Sequence, residues 1–134
     1  MLRIVHRVNT LEQLDHVPTE LGVELDLHAY GDRLVVHHDP FSDGPDFEDW
    51  LTHYRHAFVI LNVKEEGIES RVATLCARHG VEDFFMLDLS FPALHGLATR
   101  GESRIAVRVS EFEPVEAAWR LEGKVAWVWL DVFS

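Results

Sequence analysis

Residues 22–40, GVELDLHAYGDRLVVHHDP, contain two extended segments around a turn, and this arrangement decides the fold. The apolar run Val23–Leu27 predicts a strand, and Leu34–His37 predicts a second extended segment. Gly31 and Asp32 between them favour a turn. The second segment follows too closely for a crossover helix. It is therefore either an extension of the strand past the turn or an antiparallel hairpin partner.

Short apolar runs alternate with amphipathic segments on both sides of this stretch. The other predicted strands are Arg3–Val5, Phe58–Val63, Phe84–Leu87, Arg104–Val107 and Val125–Leu130. The predicted helices are Thr10–Asp15, Asp46–Arg55, Gly67–His79, Pro92–Thr99 and Pro114–Arg120. Asn9 is a candidate cap for the first of these helices. Repeated strand, helix, strand order predicts an α/β fold with a parallel sheet and crossover helices.

The number of strands predicts an incomplete barrel. The runs supply about six parallel strands, whereas a closed parallel α/β barrel has eight strands and ~250 residues. The chain has 134 residues and stops directly after a predicted strand. We therefore expect one domain over residues 1–134. This domain is either a fragment of a longer protein or a chain that completes its sheet with another chain, such as a second copy in a homo-oligomer.

The composition limits the partners and the compartment. A formal net charge of −11 argues against nucleic acid binding, whose affinity comes mainly from Lys and Arg. An anionic substrate therefore needs a local positive site. Cys76 is the only cysteine, and we expect it to be a small core residue on a helix. No signal peptide and no apolar run near ~18 residues is found, so we expect a cytoplasmic protein without an integral membrane segment.

Polar side chains follow the predicted strands at their carboxyl ends, where a parallel α/β barrel has its active site. Residues two apart on a strand point to the same side, so Glu24 projects together with Asp26, and Asn62 with Lys64. Paired carboxylates repel unless a cation or a proton lies between them, and a divalent ion with oxygen ligands is the usual solution. The alternative is that Glu24 and Asp26 are two solvated charges at a strand end.

Two histidines accompany the carboxylates. His6 follows the first strand and His38 follows the second extended segment. Taken alone, each histidine is more often a core or rim residue whose hydrogen bonds are made within the protein. A pair of histidines beside two carboxylates instead favours acid/base chemistry such as phosphodiester cleavage. Cleavage needs one group to deprotonate a nucleophile and another to protonate the leaving oxygen. Arg7 and Lys64 would then hold the phosphate.

Four short motifs occur in order along the chain: His6-Arg7 with Asn9, Glu24-x-Asp26, LVVHHDP at 34–40 and LNVK at 61–64. This set resembles the glycerophosphodiester phosphodiesterases and their phospholipase relatives, most strongly over residues 3–65. The resemblance implies a TIM barrel of the phospholipase C-like phosphodiesterase type, with about six of the eight strands present. It also implies metal-dependent hydrolysis of a glycerol-, sugar- or lipid-headgroup phosphodiester by two histidines.

The resemblance implies a role for each matching residue. The acid/base histidines are His6 and His38, the phosphate-binding residues are Arg7 and Lys64, and the ligands of Mg²⁺ or Ca²⁺ are Glu24, Asp26 and Asn62. The family usually has an acidic residue where this chain has Asn62, so weaker metal binding is expected, with Asp88 as a substitute ligand. Val8 replaces a common glycine. The stretch 39–46 leaves no room for the inserted subdomain of many relatives.

The sequence leaves open whether the protein is an enzyme or an inactive relative of one. An inactive relative that binds a phosphorylated ligand or a partner protein is the alternative to an enzyme, and Asn62 and the incomplete barrel favour it. The retained histidines and carboxylates favour the enzyme.

Trp127 and Trp129 alternate on the last strand and face one way. We expect Trp127 to pack in the core and Trp129 to line a substrate pocket.

Overall fold

The computed structural model describes residues 1–134 and has alternating strands and helices along the whole chain. The strands are β1 (Ile4–Val5), β2 (Gly22–Tyr30), β3 (Arg33–Val36), β4 (Phe58–Val63), β5 (Phe84–Leu87), β6 (Ala106–Val109) and β7 (Trp127–Leu130). The helices are α1 (Leu11–His16), α2 (Phe47–His53), α3 (Glu69–Arg78), α4 (Phe91–Thr99) and α5 (Val115–Arg120). The chain divides into two compact units, Met1–Phe84 and Phe85–Ser134.

The first unit is built on a parallel arrangement of β1, β2 and β4, with β2 in the middle. β3 pairs antiparallel with β2, and Tyr30 lies opposite Arg33. Gly31 adopts a positive φ of 62°, which a glycine tolerates without steric cost and which allows the tight turn. The hairpin is therefore the correct one of the two predicted alternatives. β2 is longer than predicted, because pairing with β3 continues it beyond Leu27 to Tyr30.

Both faces of β2 are buried, as expected for a parallel strand covered on both sides. Val23, Leu25 and Leu27 occupy one face and have no exposed surface. The helices of the first unit bury large side chains, including Trp50 of α2. Cys76 of α3 is fully buried, which confirms that it is a small core residue.

The start of α1 differs from the prediction. Thr10 caps the helix, because its side chain accepts a hydrogen bond from the backbone N–H of Gln13 and the Gln13 side chain returns to the cap. Asn9 is not the cap, so that prediction is wrong. The Asn9 side chain is therefore available for a different contact, described below.

The second unit contains the parallel pair β6 and β7. β5, which starts at the last residue of the first unit, is joined to the β6 segment by a parallel bridge between Met86 and Ile105. Trp127 on β7 contacts the ring of Phe85 at a centroid distance of 5.1 Å. Its side chain is nevertheless 42% exposed, so the predicted core position of Trp127 is wrong.

The prediction of a mixed α/β fold with parallel strands is confirmed. None of the helices has both the length and the apolar composition needed to cross a membrane.

Candidate active site

The centre of the candidate site is a group of buried oxygen atoms on β2 and β4. Asp26 lies directly opposite Asn62 in the parallel register of these strands. Glu24, Asp26 and Asn62 are only 4%, 1% and 9% exposed. The interpretation of Glu24 and Asp26 as solvated charges is therefore wrong, and their charges need partners inside the protein.

Asp26 is held by Asn9 and Lys64. The Asn9 amide nitrogen donates to Asp26 Oδ2 at 2.9 Å, and the backbone N–H of Asp26 donates to Asn9 Oδ1 at 3.0 Å. Lys64 Nζ lies 3.7 Å from Asp26 Oδ1. Asn9 thus orients a candidate metal ligand from 17 residues away in sequence. Its place two residues after the His6-Arg7 motif was the signal that could have indicated this role.

Glu24 is held by the turn that follows β1. Arg7 adopts a positive φ of 55°, and its backbone N–H donates to Glu24 Oε2 at 2.8 Å. His6 Nδ1 lies 3.5 Å from the same oxygen, and the His6 side chain is 61% exposed. Trp50 anchors this turn through a hydrogen bond from its indole N–H to the backbone oxygen of Val8 at 3.1 Å. The turn therefore presents His6 to solvent beside a buried carboxylate.

His38 is oriented by Asp39 and Arg7. His38 Nδ1 lies 3.0 Å from Asp39 Oδ1, and Arg7 Nη2 lies 3.2 Å from His38 Nε2. A guanidinium group only donates hydrogen bonds, so Nε2 must be the acceptor and Nδ1 must carry the proton. The hydrogen bond from His38 lowers the pKa of Asp39. Asp39 therefore stays ionised and orients His38 so that Nε2 has a lone pair.

The donor atoms fit a hard divalent cation. Asn62 Oδ1 is buried and has no hydrogen-bond partner, which leaves a carbonyl-type oxygen beside Asp26. Carboxylate and amide oxygens are the ligands that Mg²⁺ and Ca²⁺ prefer. No group of three or more His, Cys, Asp or Glu side chains is arranged to hold a metal. The protein would therefore supply Glu24, Asp26 and Asn62, and the remaining ligands would come from water or substrate.

The predicted site residues fall into two groups. Those that the first unit brings together are His6, Arg7, Glu24, Asp26, His38, Asn62 and Lys64. Trp129 belongs to the second unit, where its ring lies 6.5 Å from that of Phe85. Asp88, the suggested substitute ligand, also belongs to the second unit and forms an ion pair with Arg108.

Two solved structures have a similar fold. One is a protein of Agrobacterium tumefaciens strain C58 assigned as a glycerophosphoryl diester phosphodiesterase, with a TM-score of 0.73 and 17% identity over 97% of this chain and 75% of that chain. The other is a glycerophosphoryl diester phosphodiesterase of Parabacteroides distasonis ATCC 8503, with a TM-score of 0.53 and 15% identity over 95% of this chain and 70% of that chain. No protein-family model and no curated protein matches the chain.

These comparisons define the class of fold. The resemblance inferred from the four motifs is confirmed at the level of the fold, since both structures are glycerophosphoryl diester phosphodiesterases. Identities of 15–17% carry no information on individual residues. The roles of the site residues therefore remain predictions that rest on their geometry in this chain.

Proposed function

We propose that this protein is a phosphodiester hydrolase that uses a divalent metal and two histidines on a glycerol-, sugar- or lipid-headgroup phosphodiester. The observation that carries the proposal is the buried oxygen group of Glu24, Asp26 and Asn62, with an unpartnered amide oxygen, beside His6 and Arg7. A buried pair of carboxylates is costly unless a positive ligand compensates it. Two similar folds of phosphodiesterases support the same activity.

We propose the following roles for the residues of the chain. When Arg7 Nη2, which donates to His38 Nε2 in the structure, turns to the phosphate, the freed Nε2 lone pair accepts the proton of a substrate hydroxyl that attacks phosphorus. His6 donates a proton to the oxygen that leaves, which gives a cyclic phosphate and an alcohol. Water then opens the cyclic phosphate, with the two histidines in exchanged roles, and this step completes the hydrolysis. Arg7 and Lys64 bind the phosphate oxygens and stabilise their negative charge. A bound Mg²⁺ or Ca²⁺ would supply Lewis-acid polarisation of the phosphoryl oxygens.

The proposal extends to the architecture and to association. We propose that the parallel strands are part of a TIM barrel of the phospholipase C-like phosphodiesterase type. Association with a second copy stays a prediction, to be measured by sedimentation.

A catalytically inactive relative that binds a phosphorylated ligand or a partner protein is the second candidate, favoured by the lack of a third acidic ligand.

Hydrolysis of a diester panel tests the proposal. Glycerophosphodiesters and lysophospholipids are incubated with the protein while Mg²⁺ and Ca²⁺ are varied. His6→Ala or His38→Ala removes one proton transfer and lowers kcat by ~10²–10⁴-fold without loss of metal binding. Asp26→Ala weakens the metal site, so its activity is partly recovered at higher metal concentration.

His53→Ala is the matched control, because His53 is an exposed histidine whose nearest acidic partner, Asp15, lies outside the site. It should retain the activity of the unmodified protein. Absence of metal-dependent hydrolysis on every diester, together with binding of a phosphorylated compound, would replace the enzyme with the inactive relative.

A further inference from the structure

A cavity of about 310 Å³ adjoins the proposed catalytic residues in the first unit. His38 and Lys64 belong both to the candidate site and to the wall of this cavity. The cavity is therefore placed to hold a group attached to a phosphate that these residues bind. Its volume lies in the range of small-molecule sites.

His28 belongs to the wall of the cavity and has a buried, unpartnered ring nitrogen. The His28 side chain follows Asp26 on the same face of β2 and is only 3% exposed. His28 Nδ1 lies 2.8 Å from the backbone oxygen of Ala29, which can only accept, so Nδ1 carries the proton. Nε2 of the neutral ring is then an acceptor, and it is buried without a hydrogen-bond partner. Such an atom costs stability until a donor reaches it.

The other walls of the cavity have a matching character. Glu65 adds a carboxylate, and its Oε2 is fixed by the backbone N–H of Ala29 at 2.7 Å. Pro40 and Phe41 supply apolar surface. Phe41 adopts a positive φ of 61°, which is unfavourable for a residue other than glycine. Because Phe41 is 94% exposed, burial of its ring does not offset the cost of this backbone conformation. The cavity thus offers hydrogen-bond acceptors next to an apolar surface.

We infer that His28 is a specificity-determining residue, whose Nε2 accepts a hydrogen bond from a donor on the substrate group that carries the attacking hydroxyl. This inference rests on the proposed function, because His38 is the base for that hydroxyl and shares the cavity wall with His28. The donor is a second hydroxyl or an ammonium group. A substrate without that donor leaves Nε2 unpaired and is bound less well in the transition state.

Three chromogenic diesters separate these cases. Each has a p-nitrophenyl leaving group, and the second ester group is 1,2-propanediol, glycerol or 3-amino-1,2-propanediol, so that the attacking hydroxyl is the same. The glycerol ester adds a hydroxyl donor, the amino ester adds an ammonium donor, and the propanediol ester has neither. The measured quantity is the ratio of kcat/KM for each donor ester to that of the propanediol ester.

The expected ratio for the unmodified protein is about 10–100 for at least one donor ester, which corresponds to leaving one buried acceptor unpaired. The larger ratio identifies the donor as hydroxyl or ammonium. His28→Leu removes the acceptor and brings the ratio to about 1, whereas His28→Gln keeps an acceptor and an intermediate ratio. His37→Leu is the control, since His37 packs edge-on against His28 at a centroid distance of 6.1 Å. It should leave the ratio unchanged.

Two outcomes overturn the inference while the proposed function stands. One is hydrolysis of all three esters with equal kcat/KM, and the other is an unchanged ratio in His28→Leu. A purely structural role of His28 would lower all rate constants together and leave the ratio intact.

A binding measurement keeps the inference testable if no ester is hydrolysed and the proposed function fails. The ¹⁵N resonance of His28 Nε2 is followed during titration with glycerol 1-phosphate, 3-amino-2-hydroxypropyl phosphate and propanediol phosphate. A larger shift with a donor-bearing phosphate supports the inference, and equal or absent shifts overturn it.

Discussion

The two units place polar side chains after their strands in different ways. In the second unit, Arg108 contacts the carboxylates of Asp88, Glu113 and Asp131, the last two at 3.9 and 3.6 Å. One cation thus faces three acidic groups, and its guanidinium also lies 5.7 Å from the Phe133 ring. Every carboxylate of this cluster therefore has a cation as its partner, although Arg108 Nε itself has no hydrogen-bond partner. We interpret the cluster as structural.

The cluster of the first unit is only partly compensated. Asp26 has Lys64 as a cationic partner, whereas Glu24, which is more deeply buried than the acids around Arg108, accepts from the Arg7 backbone N–H and lies beside His6. Asn62 Oδ1 lacks a hydrogen-bond partner. A buried carboxylate that has no Lys or Arg side chain as its partner is typical of a binding site rather than of a structural cluster. The comparison therefore predicts opposite effects on stability when each cluster is altered.

The largest expected effect on stability comes from Arg108→Met. The substitution leaves several partly buried carboxylates without their cation, and we expect the free energy of unfolding to fall by about 1–3 kcal/mol. The range is below that of a fully buried pair, because the Arg108 side chain is 27% exposed. Urea unfolding followed by circular dichroism measures it. A change below 0.5 kcal/mol, roughly that of an ordinary surface substitution, would remove the structural interpretation of this cluster.

A smaller effect of opposite sign is expected for Glu24→Gln. The amide keeps an oxygen for the Arg7 backbone N–H, while it removes one of two buried negative charges. In metal-free buffer, the free energy of unfolding should stay constant or rise by up to about 1 kcal/mol. The same urea measurement applies. A loss as large as that of Arg108→Met would mean that the first cluster is also structural.

Sequence reasoning predicted the elements that depend on local pattern. Phe58–Val63 and Phe84–Leu87 are strands with both ends as predicted, because each is an apolar run, interrupted in the first only by Asn62. The shared face of Glu24 and Asp26 could be predicted from the period of two along a strand. The position of Asp26 opposite Asn62 could not, because it depends on the register between β2 and β4.

Contacts across the chain could not be predicted in the same way. The hydrogen bonds that join Asn9 to Asp26 depend on how β1 pairs with β2, which a local pattern does not contain. The alternation of Trp127 and Trp129 predicts a shared face but not what covers it, so the exposure of Trp127 was missed. The unpartnered Nε2 of His28 depends on the Ala29 carbonyl and on the cavity wall.

The smallest expected effect concerns Glu48, which lies outside both of the clusters compared above. Hydrogen bonds from His79 and then Arg78 lower the pKa of Glu48 below its ordinary value of 4.5. Because the pKa of Glu48 is lower in the folded protein than in the unfolded chain, ionised Glu48 stabilises the fold above pH 4.5. This stabilisation is lost as the pH falls through the lowered pKa. Glu48→Gln should therefore destabilise slightly at neutral pH, and the difference should vanish in acid. A difference that stays constant with pH would contradict this account of Glu48.

Calorimetric titration with Mg²⁺ and Ca²⁺ tests most directly whether the buried oxygens of the first unit form a ligand site. The account predicts one site in the unmodified protein, binding at least about 10-fold weaker in Glu24→Gln, and unchanged binding in Arg108→Met. Absence of binding in the unmodified protein, or equal binding in the Glu24 variant, would contradict it.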